Sequence, residues 1–132
     1  MKALTIEASL TTPMIDFSSY TGIMKIAGCG IPSDSELFWK PIKTWFSTYA
    51  SSPTPITHIK IDLDYFNMPF SKELLSLLYA LREIANRNYQ VQVTWNYKLH
   101  DDEMYEVGQD FAFMSKVPFE FIVHNETELI AN

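Results

Sequence analysis

Apolar and polar residues alternate strictly along two segments of the chain, residues 58–66 and 90–97. A period of two residues is the pattern of a β-strand with one buried face. The buried face of the first strand is expected to carry Ile59, Ile61 and Leu63. Between the two segments, Ser71 to Asn88 places leucine and isoleucine on one stripe, which predicts an amphipathic helix. Strand, helix and strand together predict a parallel crossover unit.

Shorter patterns predict the remaining strands. They cover Leu4–Ser9, Met14–Phe17, Ile23–Ala27 and Pro118–His124, the last with Phe119 and Phe121 turned inward. The second and third of these flank the polar, glycine-containing segment 18–22, which suits a hairpin loop. The first three strands are therefore predicted to form a β-meander.

Two further helices are predicted. Ser33 and Glu36 have the spacing of a capping box, so Ser33 is expected to start the first helix. Its apolar residues recur at Phe38, Ile42, Trp45 and Tyr49. Pro41 lies inside it and is expected to kink it, because proline lacks the amide hydrogen and its ring clashes with the preceding turn. The second, a short helix, follows the acidic residues 101–103.

The polar faces of the two long strands predict how the elements are layered. Central strands of a doubly wound fold are apolar on both faces, whereas residues 58–66 and 90–97 each keep one polar face. Helices should therefore cover one side of the sheet. We predict an α/β two-layer sandwich with a mixed β-sheet and helices mainly on one face, as a single domain over residues 1–132.

Composition narrows the classes of function. The net charge of −6 argues against a nucleic-acid partner, because such proteins concentrate Lys and Arg on one face. The single cysteine cannot form an intramolecular disulfide, and no apolar leader or long apolar run is present, which predicts a cytoplasmic protein without a membrane anchor. Four glycines form no phosphate-binding loop, so no cofactor is expected. The sequence does not decide whether the protein forms a homodimer. The net negative charge opposes self-association, but a local surface patch can outweigh it.

Two sets of residues are candidates for catalysis or cation binding. Asp62 and Asp64 project from the same face of one strand and could form a paired-carboxylate or cation site, but a solvated sheet face with Lys60 as counter-charge is favoured, and no metal site is expected. Cys29 could be a nucleophile partnered by His58, His100 or His124. Because nothing in the spacing brings a base to it, a small apolar role for Cys29 is favoured and no catalytic residue is assigned.

The junction after residue 66 is the strongest candidate for a binding rim. The strand pattern breaks at residues 68–70 and the helix pattern starts at Ser71, where a hydroxyl suits an N-cap. The alternative role for Ser71 is phosphorylation, because a phosphate at a helix N-terminus is tolerated by the dipole and changes what the rim can dock against. The apolar face of the first helix is widened by Trp39, Trp45 and Phe46. These aromatic residues either belong to the core or form an exposed partner surface.

The sequence resembles the SiaC family of bacterial regulatory phosphoproteins nearly from end to end. The segments that carry the resemblance are Leu4–Ala8 with Thr12-Pro13, Gly28–Ser35, Phe38–Trp45 with Pro41, Tyr65–Asn67, Ser71-Lys72, Val93–Tyr97, Asp101–Met104 and Pro118-Phe119. Each segment alone is a weak indication of the family, whereas the whole set in the same order along the chain is fairly specific for it.

The resemblance implies a fold like that of anti-sigma factor antagonists (STAS-like) and a non-enzymatic adaptor in a partner-switching pathway. In that family an anti-sigma-type kinase phosphorylates the adaptor and a PP2C-like phosphatase reverses this. The unmodified adaptor binds and activates a diguanylate cyclase, which couples it to cyclic di-GMP and biofilm formation. The phosphorylated threonine of the family directly follows the asparagine that ends the strand.

This chain departs from the family at that threonine. The matching positions read Asn67-Met68-Pro69-Phe70, so Met68 stands where the acceptor hydroxyl is expected, while Asn67 and Lys72 persist. We therefore predict a partner-binding loop of Asn67, Met68, Phe70, Ser71 and Lys72, with Met68 and Phe70 supplying apolar contacts. Ser71 is the remaining candidate phosphorylation site. A small-molecule-sensing domain on the same fold and a hydrolase using Cys29 or the two aspartates are the alternatives.

Overall fold

The computed structural model describes residues 1–124. In chain order its elements are β1 (Leu4–Ile6), β2 (Met14–Phe17), β3 (Ile23–Gly30), α1 (Ser35–Ser51), β4 (Ile56–Phe66), α2 (Met68–Ala85), β5 (Gln90–Lys98), α3 (Asp102–Ser115) and β6 (Phe119–His124). None of the helices in this part of the chain is long and apolar enough to cross a membrane.

The strands form one mixed sheet in the order β1-β2-β3-β4-β5-β6. β1, β2 and β3 pair antiparallel, which confirms the predicted meander. The predicted crossover of β4, α2 and β5 is also confirmed, with Ile59 opposite Val93 and Ile61 opposite Trp95 in a parallel register. Parallel pairing also joins β3 to β4 across α1, and β5 to β6 across α3.

The hydrophobic core lies between the helices and one face of the sheet. Along β4, Ile59, Ile61 and Leu63 are buried, whereas His58 and Lys60 on the other face are half-buried. Buried residues of the strands and of all three helices belong to one cluster, so the helices share one face. This confirms the predicted two-layer α/β arrangement. The likeness to anti-sigma factor antagonists stays a prediction.

Two strands, β1 and β3, end three residues away from the prediction because of their neighbours. β1 stops at Ile6 instead of Ser9, since its partner β2 has only four residues and the Ser9 amide turns back to donate to Thr12 O at 2.9 Å. β3 continues to Gly30 because it stays paired with β4 as far as Phe66. Pairing, more than local pattern, decides where these strands end.

The first helix begins one residue later than predicted. The side chain of Asp34 accepts a hydrogen bond from Leu37 N at 3.1 Å, so Asp34 is the N-cap and the assignment of Ser33 was wrong. Asp and Ser are comparable caps, so the pattern alone could not choose between them. The helix continues through Pro41 to Ser51 without interruption.

The aromatic residues of α1 are part of the core. Trp39 and Phe46 are buried, and Trp45 is half-buried. The Trp45 indole N–H donates to Lys2 O at 2.7 Å, and its ring stacks on Tyr49 with centroids 5.5 Å apart. The alternative of an exposed partner surface at these residues was therefore wrong. The buried stripe consists of Trp39, Ile42, Phe46 and Tyr49.

Candidate functional site

Asn67 is the residue that starts α2. Its side-chain oxygen accepts from Phe70 N at 3.1 Å, and its backbone carbonyl accepts from Ser71 N at 3.0 Å. Its own N–H donates to Gly30 O at 3.1 Å, which ties the cap to β3. The prediction of Ser71 as N-cap was therefore wrong, and the helix begins at Met68 directly after the strand. Pro69 suits the first turn because its missing N–H is not needed there.

Phe70 is buried, so its predicted role as an exposed contact was wrong. Its ring centroid lies 5.1 Å from that of Trp39 and 6.0 Å from that of Phe66. A Cβ added at Gly30 would lie 2.8 Å from Phe70 Cδ1, so the ring packs directly on the backbone of β3. Because α2 starts three residues earlier than predicted, Phe70 falls on the inward face of the first turn.

Met68, Ser71 and Lys72 do lie on the outer side of this turn. Met68 is 70% exposed, Lys72 is exposed and Ser71 is half-buried. The Ser71 hydroxyl donates to Met68 O at 2.9 Å, and its oxygen lies 3.7 Å from Met68 Sδ. The structure thus brings these predicted residues, together with Asn67, to one surface.

A second wall faces this turn from α3. The residues of α3 that line the same depression are Val107, Asp110, Phe111 and Met114. Sequence reasoning missed them because it treated this segment only as a short helix, whereas α3 has 14 residues. The spacing of three, four and seven residues from Val107 is the signal of one helical face and could have marked them as a group.

These walls enclose a groove of about 490 Å³, here called the α2–α3 groove. Its α2 side is formed by Asn67, Met68, Ser71, Lys72 and Leu75, and Phe66 joins it from the end of β4. The Phe66 and Phe111 rings stack with centroids 6.2 Å apart, which makes the interior apolar. Lys72 on one wall and Asp110 on the other are the charged residues among those that line it. An apolar channel with one charge of each sign on its walls suits a protein partner.

The first turn of α2 is a poor anion site. Phe70 N is taken by the Asn67 side chain, Ser71 N by the Asn67 carbonyl, and Pro69 has no N–H. This rim therefore presents few free backbone donors to an anion. What it offers a partner is mainly the Met68 side chain.

The two aspartates lie on the polar face of the sheet. His124 Nε2 lies 2.8 Å from Asp62 Oδ1, and Lys98 Nζ lies 3.3 Å from Asp64 Oδ1. The preferred solvated-face interpretation holds, with His124 and Lys98 as the paired groups instead of Lys60. Within residues 1–124 no group of three or more His, Cys, Asp or Glu residues could hold a metal ion.

The other candidate residues for chemistry are not assembled. Cys29 is half-buried in β3, while His58 bonds to Thr94 Oγ1 at 2.6 Å and His124 bonds to Asp62. Burial lowers the pKa of His58, and Lys60 lowers it further, although Glu120 opposes this. A neutral His58 held by Thr94 is a structural element of the polar face.

Known proteins are similar to this chain along most of its length. Residues 6–124 match the family described as SiaC family regulatory phosphoprotein. An uncharacterised protein of Pseudomonas aeruginosa strain UCBPP-PA14 is 21% identical over 126 residues, which cover 96% of this chain and 100% of that protein.

Solved structures show the same fold. The crystal structure of apo-SiaC from P. aeruginosa superposes with a TM-score of 0.85 at 20% identity, covering 92% of this chain and 99% of that chain. A chain from the crystal structure of diguanylate cyclase SiaD in complex with its activator SiaC, also from P. aeruginosa, superposes with a TM-score of 0.86 at 21% identity, covering 92% and 99%. With its family match spanning residues 6–124, this chain belongs to the SiaC family of regulatory phosphoproteins.

Proposed function

We propose that this protein is a non-enzymatic adaptor that binds a diguanylate cyclase and raises its activity, with the α2–α3 groove as the docking surface. The family match supports the regulatory role. The partner is suggested by the similar fold of SiaC, which is the activator of the cyclase SiaD in a solved complex. The observation that carries the choice of surface is the groove itself, where the four accessible residues of the predicted loop meet an apolar wall of α3.

Met68 is the proposed anchor of this surface. It is 70% exposed, stands at the mouth of the groove, and has the unbranched thioether side chain that adapts to a partner surface. A large apolar side chain that fills a partner pocket near the centre of an interface can dominate its binding energy. Lys72, one helical turn further along the same face, adds a charge that orients the partner.

Replacing Met68 by aspartate is expected to weaken cyclase binding by a factor of ten to one hundred, about 1.4–2.8 kcal/mol. The charge would enter an apolar contact, whereas the fold should persist because an acidic residue is favoured in the first turn of a helix. Titration calorimetry with the purified cyclase of the same organism measures the effect, with cyclase activity as a second readout.

Tyr20→Asp is the matched control for this experiment. Tyr20 is 92% exposed and lies in the turn before β3, at the end of the sheet opposite to Asn67, since Ile23 pairs with His58 and Gly30 with Phe66. It adds the same charge to an exposed aromatic residue far from the groove. Equal affinities of both variants and the wild type would rule out the groove as the docking surface.

We further propose that docking is free of kinase control at residue 68. Met68 has no hydroxyl, so the position at which the family resemblance implies the phosphorylated threonine cannot accept phosphate. Ser71 remains the nearby candidate, but its hydroxyl is bonded to Met68 O and the residue is half-buried. The adaptor then needs no dephosphorylation at residue 68 before it can dock.

Met68→Thr is expected to restore phosphate transfer from the anti-sigma-type kinase of the same organism. The new hydroxyl would occupy the first residue of α2, where an added phosphate is favoured by the helix dipole. Met68→Val is the matched control because valine has nearly the shape of threonine without the hydroxyl. Phosphopeptide mapping should find label on residue 68 only in the threonine variant. Equal absence of label in the threonine and valine variants would contradict the prediction, and labelling of the wild type that disappears in Ser71→Ala would identify Ser71 as the acceptor.

A further inference from the structure

The six methionines of the chain fall into different environments, and one exposed methionine, Met1 at 62%, is not among the residues that line the groove. Met24 and Met104 are 0% and 8% exposed and belong to the core. Met68 and Met114 are 70% and 38% exposed, and they line the α2–α3 groove from opposite walls. Oxidation of a methionine depends on access to its sulfur. The groove therefore carries two accessible thioethers on the surface where the partner is proposed to bind.

We propose that Met68 and Met114 are oxidation sites that switch the groove from a docking surface to a non-docking one. The oxidant is hydrogen peroxide: the sulfur lone pair attacks one oxygen, the O–O bond breaks, and the proton of the transferred oxygen moves to the second oxygen, which leaves as water. Each sulfur loses two electrons and becomes a sulfoxide, while the peroxide is reduced. This inference rests on the proposed function, because it names a form of regulation of the same site.

The surroundings of the two sulfurs explain why a single oxygen atom would matter. The groove wall beside them is formed by Leu75, Val107 and Phe111, which offer no hydrogen-bond donor from their side chains. A sulfoxide oxygen is a strong acceptor, and burying it against such a surface leaves it without its water partners. A partner surface that fits the reduced thioethers would not fit the oxidised ones.

Donors at the mouth of the groove would hold the oxidised form of Met68 in water. Ser71 Oγ lies 3.7 Å from Met68 Sδ, and Lys72 is one helical turn from Met68 on the same exposed side of α2. The Lys72 ammonium can donate to the new oxygen, and the Ser71 hydroxyl can do so by giving up its bond to Met68 O. Oxidation of Met68 thus stabilises a polar arrangement that competes with docking.

The test oxidises the adaptor alone with hydrogen peroxide, removes the peroxide with catalase, and then measures binding to the purified diguanylate cyclase. Peptide mass mapping should show oxygen added at Met68 and Met114 before Met24 and Met104. Affinity is expected to fall at least about tenfold, and treatment with methionine sulfoxide reductases should restore it. The double variant Met68→Leu/Met114→Leu is expected to bind the cyclase more weakly than the wild type, because Met68 is the proposed anchor, but its affinity should be the same before and after peroxide, since leucine has no sulfur to oxidise.

Several results would overturn the proposal. These are unchanged affinity when both groove methionines are sulfoxides, oxidation of the core methionines at the same rate, and a double variant that stays sensitive to peroxide. A failure of the untreated wild type to bind the cyclase would reject the proposed function instead. The mass map would in that case still decide whether Met68 and Met114 are oxidised before the buried Met24 and Met104.

Discussion

Replacing Phe70 by alanine is expected to lower the free energy of unfolding by about 3–5 kcal/mol, the usual cost of removing a fully buried phenylalanine. Its ring is wholly buried and packs against the rings of Trp39, Phe66 and Phe38 at centroid distances of 5.1, 6.0 and 6.4 Å. The cavity would open beneath the first turn of α2, between that turn and the backbone of Gly30. Denaturation in guanidinium chloride, followed by tryptophan fluorescence, measures the loss.

Phe70→Leu is the matched control, because leucine leaves a smaller cavity in the same place and should lose clearly less stability. A loss below about 1 kcal/mol for Phe70→Ala would mean that the ring is not part of the core. The burial also explains why a change at Phe70 cannot test docking. It would unfold the start of α2 together with the groove, whereas Met68→Asp alters the surface alone.

Replacing Gly108 by alanine is expected to displace α3 and lower the free energy of unfolding by about 1–3 kcal/mol. A Cβ at this position would lie 2.5 Å from Trp95 Nε1 and 2.7 Å from Trp95 Cδ1, and Trp95 is held in the core with its N–H bonded to Met104 O at 3.0 Å. The better helix propensity of alanine offsets about 1 kcal/mol of this cost. Because Val107 and Phe111 lie on the same helix and line the groove, cyclase binding should weaken as well.

A double-mutant cycle with Trp95→Phe separates this clash from other effects of the substitution. The smaller ring makes room for the added methyl group, so Gly108→Ala should cost less in the Trp95→Phe background than in the wild type. Chemical denaturation and calorimetric titration of all four proteins give both readouts. A rise in stability for Gly108→Ala in the wild type, as at an exposed helix glycine, would contradict the predicted close packing of α3 on Trp95.

The strands and the central crossover could be predicted from the sequence because they depend on local periodicity. The alternation along residues 58–66 and 90–97 survives in β4 and β5, and the leucine stripe between them is the buried face of α2. The polar faces of the two strands also predicted that helices cover one side. Each of these features follows from how a short segment partitions between water and a core, which needs no knowledge of distant residues.

The first residue of α2 could not be predicted from local periodicity. Asn67 and Ser71 are both good N-caps, so the local pattern supported either. The choice is made by β3, where Gly30 accepts from Asn67 N and leaves the space in which the Phe70 ring packs. A hydrogen bond and a close contact from a strand nearly forty residues earlier decided that Phe70 turns inward and Met68 outward.

The sequence by itself determined the sheet and the one-sided helical layer, and it predicted Asn67, Met68, Ser71 and Lys72 as the α2 half of the proposed docking surface, although it did not show that Phe70 turns away from that surface. Only the tertiary structure decided the other half. Val107, Asp110, Phe111 and Met114 face α2 because Gly108 lets α3 lie directly on the Trp95 indole. Periodicity predicts which face of a helix is apolar, but how closely two helices approach depends on the volume of side chains far apart in the chain.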